Sequence, residues 1–471
     1  MKRAAYILLV APLFAIPTAC GSFSNGDCEF GACGDGGASS SSGGDAKVDA
    51  PVSCDPATDP SCVDEKQGLF VDVAKGADGN DGTKASPLKS ISGALGKLGS
   101  KTRVYVCAGA YPGTLAIKTP VAIYGGFTCE DWKAGGGKVT IVGETDYGVD
   151  ISAANVTVSD VEIQAPASSA QNVNSIAARV VGVDGVVFRR AKLVAKDGFT
   201  GATGVLTSFT TFPVQADLDG VAGSLAGGGD KPAVACPGGK TTKGGKGGAS
   251  GVDGEPGEPA ATGGAKGTLV QCAGTGQGGF PGQPGLTGSP GGAPTNLGSP
   301  KDNSWKPSPG GPGDTGGPGG GGGGGAGLGG GGGGQGGAGG CGGAGGGGGG
   351  GGGASIALLS MNAVVSVSSS TLVSGRGGDG GPGVAGQPGQ TIFGLRGGSA
   401  TACNGGNGAP GGVGGGGAGG AGGLSAGIVY VGSAPTTTET TTNKGSGGGA
   451  GKGAASNDGL AGDAKDIYEA K

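Results

Sequence analysis

The sequence predicts an all-β chain built as a parallel β-helix, with a short capping helix at its N-terminal end and large glycine-rich insertions. Three observations carry this. A template of the form apolar-x-apolar-x-x-small-x-apolar recurs at Val156, Val158, Val161, Ile163, at Val186, Phe188, Ala191, Leu193, and at Val365, Val367, Ser370, Leu372. A second template precedes it by about ten residues, in "NSIAARVVG" and "ASIALLSMN", and returns as "LSAGIVYVG". Finally, 124 of the 471 residues are Gly, which bring no side chain to a core, so the packed part must come from a subset of the chain.

Alternation of apolar and polar residues marks half-buried strands, and the additional residue in the template marks a corner. The first two copies lie 30 residues apart and the third is displaced by about 180. Strands and corners repeating at such a period stack as rungs of a coil. A lone rung cannot offset the entropy of ordering its residues, so the strand after the nine glycines Gly345 to Gly353 must stack on the rung that ends near Lys196. Residues 198–353 are then an insertion, 354–374 a returning rung, 375–423 a second insertion, and 424–471 a terminal rung with a polar tail. Residues 67–197 form the first part of the coil. Within it, Ser86-Pro87 reads as an N-cap with Pro at the first helical position. Leu88, Ile91, Leu95 and Leu98 then share one face of a helix that closes the open end of the coil.

The N-terminus reads as an export address. Lys2 and Arg3 precede an apolar stretch from Ala4 to Ala15, so residues 1–19 are expected to be a signal peptide. Thr18-Ala19-Cys20 resembles the lipobox of bacterial lipoproteins, with Pro17 in place of the usual Leu, and implies lipid attachment at Cys20. Residues 20–66 follow as a flexible tether that would hold the domain clear of an outer membrane, surface-exposed. Ten cysteines remain: Cys28, Cys33, Cys54, Cys62, Cys107, Cys129, Cys236, Cys272, Cys341 and Cys403. An even number in an exported chain reads as disulfides, and pairing in sequence order is the working expectation.

Residues 67–127 also resemble the opening of pectin-lyase-like right-handed β-helix proteins. They match in particular a domain family of exported bacterial surface proteins, many of them lipoproteins with glycine-rich inserts. Gly76, Asp78, Asp81, Gly82, Thr83, Ser86, Pro87, Ile91, Ala94 and Leu95 carry the match. The resemblance implies the fold and its right-handedness, and implies no activity.

Composition removes several chemistries. The chain has no His, which excludes Ser/His/Asp and Cys/His nucleophile systems. Its net charge of −4 offers no basic footprint, so no nucleic-acid partner is expected. The Gly-x-y triplets of "GFPGQPGLTGSPGG" break off too soon for collagen. The insertions are therefore expected to be irregular mobile loops, with packed polyproline-II-like strands whose glycines face each other as the alternative. The expected function is a non-enzymatic surface scaffold, structural or adhesive, binding a polysaccharide, matrix or a surface protein and needing no cofactor. The alternative is a Ca²⁺-dependent polysaccharide lyase, with Arg189 or Arg190 as base beside Asp160. A Ca²⁺ site would then come from the acidic turn Asp72, Asp78, Asn80 and Asp81, whose oxygens suit that ion.

Overall fold

The computed structural model describes residues 54–471. Its strands form a coil of stacked rungs. The first rung is β1 (Gly68–Val71), followed by the short helix α1 (Ile91–Gly96). Then come β2 (Arg103–Cys107), β3 (Gly109–Pro112) and β4 (Leu115–Ile117); β5 (Ala122–Phe127), β6 (Val139–Val142) and β7 (Tyr147–Ile151); β8 (Thr157–Ser159), β9 (Glu162–Gln164) and β10 (Ser175–Val181). The next rung opens with β11 (Val186–Arg189) and β12 (Lys192–Val194). It is interrupted by an insertion holding α2 (Gln215–Leu218), β13 (Val234–Ala235), β14 (Thr241–Thr242), α3 (Leu269–Thr275), β15 (Gly298–Lys301) and β16 (Ser304–Pro307), and closes with β17 (Ser355–Met361). The last rungs are β18 (Val365–Ser368), β19 (Thr371–Val373) and β20 (Ser425–Val431), then β21 (Thr436–Thr438), β22 (Thr441–Asn443) and β23 (Ala464–Glu469).

Corresponding strands pair in parallel into three sheets: β1-β2-β5-β8-β11-β18-β21, β3-β6-β9-β12-β19-β22 and β4-β7-β10-β17-β20-β23. The register follows the sequence template. Val158 pairs with Phe188, Phe188 with Val367, and Val367 with Thr437. Ile163, Leu193, Leu372 and Thr442 form the equivalent column in the second sheet. The second template aligns Ile176 with Ile356 and Ile356 with Ala426. The Val and Leu columns of the first two sheets fill one core together with Val149, Ile151, Val180 and Leu358, whereas Ile176, Ile356 and Ala426 belong to a second apolar cluster with Leu297 and Trp305 of the first insertion.

The helix is shorter than the sequence suggests. Ser90 is the N-cap, its hydroxyl accepting from Gly93 N–H. Ser86 and Pro87 instead lead an extended segment in which Leu88 bridges Val71. Ile91, Ala94 and Leu98 still reach the core from its N-terminal end. At the other end the terminal rung, "PTTTETTTN", puts threonines where earlier rungs carry Val and Leu.

Every long insertion leaves the coil at the same corner, between the second and third sheets: after β12, after β19 and after β22. Sharing one corner, they lie side by side, and the expectation of irregular loops gives way to a packed lattice. Gly319, Gly322 and Gly325 donate to the carbonyls of Gly340, Gly337 and Gly334 at 2.8–2.9 Å. Gly320 and Gly323 donate to Gln283 and Phe280, and Gly321 and Gly324 to Glu258 and Glu255. Three successive residues thus address three neighbouring strands, and the pattern repeats every third residue. That is the symmetry of a polyproline II helix, which has three residues per turn and no hydrogen bonds of its own.

The glycine content follows from this packing. In the run from Gly345 to Gly353, a Cβ on Gly345 or Gly348 would collide with the carbonyls of Gly313 or Gly310. One on Gly346 or Gly349 would strike those of Val384 or Gly381, and one on Gly347 or Gly350 would strike Val205 or the backbone of Ala202. A strand enclosed on three sides tolerates no side chain. In "GFPGQPGLTGSPGG" only every third residue, Gly279, Gly282, Gly285, Gly288 and Gly291, packs against the backbone of residues 311–323, and only those must be Gly. None of the glycines between Gly331 and Gly427 adopts a left-handed φ, so close approach rather than turning is their role.

Four disulfides tie the described residues together. Cys54–Cys62 and Cys107–Cys129 pair as sequence order suggests. The later cysteines do not: Cys236 bonds Cys341, and Cys272 bonds Cys403. Antiparallel and parallel packing of distant strands brings these pairs within reach, whereas sequence order reflects none of it. Cys28 and Cys33, with Cys20, lie outside the described residues.

Candidate functional site

A cleft of about 550 Å³ runs along the corner between the first and second sheets. The chain turns here at one residue per rung with a left-handed backbone: Gly126, Asp160, Arg190, Ser369 and Glu439. Asp and Gly take this conformation readily, while Arg does so rarely. Stacked rungs bring Asp160 and Arg190 side by side, and Arg190 grips Asp160 with Nε–Oδ1 and Nη2–Oδ2 distances of 2.7 Å.

A second carboxylate arrives from outside the coil. The loop closed by Cys54–Cys62 lays Asp55 over the corner, where Arg190 makes two further bonds of 2.9 Å and Arg189 one ion pair of 3.1 Å. Burial opposes ionisation of Asp55, but the Arg190 bond, the Ala57 N–H and the nearby guanidinium charges outweigh it and hold the carboxyl below its ordinary range. The bonds to Asp160 and Asp55 push Arg190 further toward its charged form.

On the next face, Glu162 is nearly buried, 2.7 Å from Lys138 and 3.3 Å from Lys192. Burial again raises its carboxyl, but Lys138, Gln164 and Lys192 together bring it below the usual value. Four cations therefore face three carboxylates, and each carboxylate is already bonded. Tyr124 and Phe127 line the cleft's apolar wall.

The residues of the acidic turn are engaged separately. Asp72 is buried and accepts from the N–H groups of Ala74 and Lys75. Asp78 accepts from the backbone of Lys89 and Ser90 and from the Ser90 hydroxyl. Asn80 donates to the carbonyl of Pro87, and Asp81 is exposed. Among the described residues, the three aspartates do not converge on a common point. The two acid–cysteine clusters that do converge contain only disulfide-bonded sulfurs.

Asp55, Lys138, Glu162 and Lys192 escape sequence reasoning in different ways. Glu162 and Lys192 occupy the same template position in consecutive copies, so aligning the copies by charge as well as hydropathy would have revealed the pair. Asp55 reaches the coil through a tertiary contact that no local pattern signals.

No known family model matches the chain, and no curated protein matches it. Among solved structures, a GH136 lacto-N-biosidase from Eubacterium ramulus aligns at 17% identity with a TM-score of 0.21, over 27% of each chain. A pectin methylesterase from Aspergillus niger aligns at 18% identity with a TM-score of 0.20, over 29% of this chain and 45% of the other. The chain thus spans under half the length of either protein. The parallel coil rests on its own strand register, and the four disulfides mark the chain as exported.

Proposed function

We propose that this chain is a non-enzymatic scaffold of the bacterial surface, held to the outer membrane through lipid on Cys20. It belongs by this reading with the pectin-lyase-like exported lipoproteins that its first rungs resemble. Its work is structural or adhesive, with an acidic polysaccharide or matrix component as ligand. One observation supports this above others. Every carboxylate of the corner cleft is already paired with a cation, and Arg190, the candidate base, is locked between Asp160 and Asp55. A lyase base must lose a proton and face substrate; an arginine bonded to two carboxylates is held charged and turned away from that task. Lys138 and Lys192 remain about half exposed at the cleft's rim and offer cations to an acidic glycan.

The test uses the exported chain, from Gly21 onward, with acidic and neutral polysaccharides, with and without Ca²⁺. Retention of the protein without unsaturated sugar ends is expected, weakened by Lys138→Ala and Lys192→Ala together. Unsaturated ends that disappear in Arg189→Ala or Arg190→Ala would replace the scaffold by a Ca²⁺-dependent lyase. Lipid attachment is checked by fatty-acid labelling, expected in the wild type and absent in Cys20→Ser.

A further inference from the structure

The glycine lattice has one edge unlike the others. Residues 198–223 run parallel to 376–398 in lockstep: Gly198, Gly201 and Gly204 donate to Arg376, Asp379 and Pro382. Farther along, Gly220 and Gly223 donate to Leu395 and Gly398. Between these two stretches the edge strand carries bulky residues in place of glycines, and backbone contact is replaced by side-chain amides. Gln387 both accepts from Phe209 N–H at 2.8 Å and donates to its carbonyl at 3.0 Å. Gln390 donates to Pro213, and Gln215 to Phe393. Glutamines thus fix a strand that is too bulky to join the lattice directly.

What they fix is an exposed row. Phe199, Ala202, Val205, Ser208, Thr211 and Val214 follow at three-residue intervals and all face solvent, Val205 at 76% and Val214 at 62% exposure. On a polyproline II strand such residues line one edge, roughly 9 Å apart over about 45 Å. The neighbouring strand adds Ile392 and Leu395, also exposed. Neither strand has a charged residue from 198 to 216 or from 380 to 395. A long charge-free edge that exposes Phe199, Val205 and Val214 among uncharged hydroxyl residues, with Ile392 and Leu395 beside them, marks an interaction surface.

We propose that this edge pairs with the same edge of a second copy of the chain. Evenly spaced side chains present gaps of the same spacing, so two rows related by a two-fold axis interdigitate, as an isologous contact requires. A strip about 45 Å long and roughly 15 Å wide offers on the order of 700 Å² per partner, near the ~800 Å² of a stable interface. Depletion of charge with retained Phe is the composition of an interface centre. An anionic bilayer would call for Lys or Arg among the apolar residues, and this edge has none. The surface is separate from the charged cleft and does not depend on its ligand.

The test is light scattering and sedimentation of the exported chain, from Gly21 onward, between about 1 and 100 μM. The wild type is expected to reach twice the single-chain mass, and Val205→Asp combined with Val214→Asp to halve it with an unchanged melting temperature. Val205→Cys should cross-link on oxidation. Single-chain mass at every concentration, or a dimer indifferent to the two aspartates, overturns the proposal. So does flotation of a single-chain species with phosphatidylcholine vesicles that the aspartates abolish, which would assign the edge to lipid.

Discussion

The coil and the glycine lattice solve the same problem by opposite means. In the coil, Val158, Phe188 and Val367 stack in register, and burial of their side chains drives the packing. In the lattice, Gly320, Gly323 and their neighbours pack because they have no side chains, so backbone amides and carbonyls meet directly. One region gains by removing apolar surface from water. The other satisfies nearly every buried donor along strands that have no internal hydrogen bonds. Glycine is therefore the core residue of the second region, although its backbone entropy makes it the costliest residue to order. The two disulfides that close 105- and 131-residue separations both lie in the lattice, where chain entropy most needs restraint.

Breaking those two bonds should separate the regions most clearly. Replacing Cys236 and Cys272 by Ser is expected to cost about 4–5 kcal/mol per bond on the chain-entropy account. Hydrogen exchange should then show lost protection in residues 310–353 while the coil strands keep theirs. Phe188→Ala tests the opposite side: a buried aromatic in the coil column should cost about 3–5 kcal/mol, read by denaturant unfolding.

A single methyl group sharpens the contrast further. Gly323→Ala would thrust its Cβ into the carbonyl of Ala265, a backbone atom that cannot rotate away, for an expected loss of about 1–3 kcal/mol. Gly292→Ala, at an exposed position with nothing near its Cβ, should be neutral or stabilising by about 0.5 kcal/mol. Equal effects at the two sites would remove the close-packing account of the glycines.

Acid should weaken the coil's corner. Asp55 and Glu162 are held below their unfolded values, so their contribution is complete above those values and fades as pH falls through the folded ones. The melting temperature should drop progressively below about pH 4, and less steeply in Glu162→Gln. The smallest effect is expected at Thr437→Val on the terminal rung, within about 0.5 kcal/mol by thermal melting, because that position lies exposed.

Much of the coil was legible because each rung repeats one hydrophobic template, and Val186, Phe188 and Leu193 announce their partners 30 residues before and 179 after. The terminal rung was not, since Thr437 and Thr442 continue the columns of Val367 and Leu372 in register without hydrophobicity. The lattice was hidden by a sound prior: glycine usually signals freedom, and only a third-residue count of neighbours shows that it here signals enclosure. At the cleft, Arg190 and Asp160 could be placed from the template, but Asp55 could not, because its loop docks from a distant part of the chain.

The shared corner from which all three insertions emerge has a consequence for how this molecule can change length. A strand that addresses three neighbours in rotation has, in effect, a reading frame. Adding or deleting three residues in the run from Gly345 to Gly353 slides the strand by one full turn and returns each residue to its own neighbour. Adding one or two rotates every later residue onto the wrong neighbour. At the level of the folded chain, indels in this region are in phase or out of phase, much as nucleotides are in a gene.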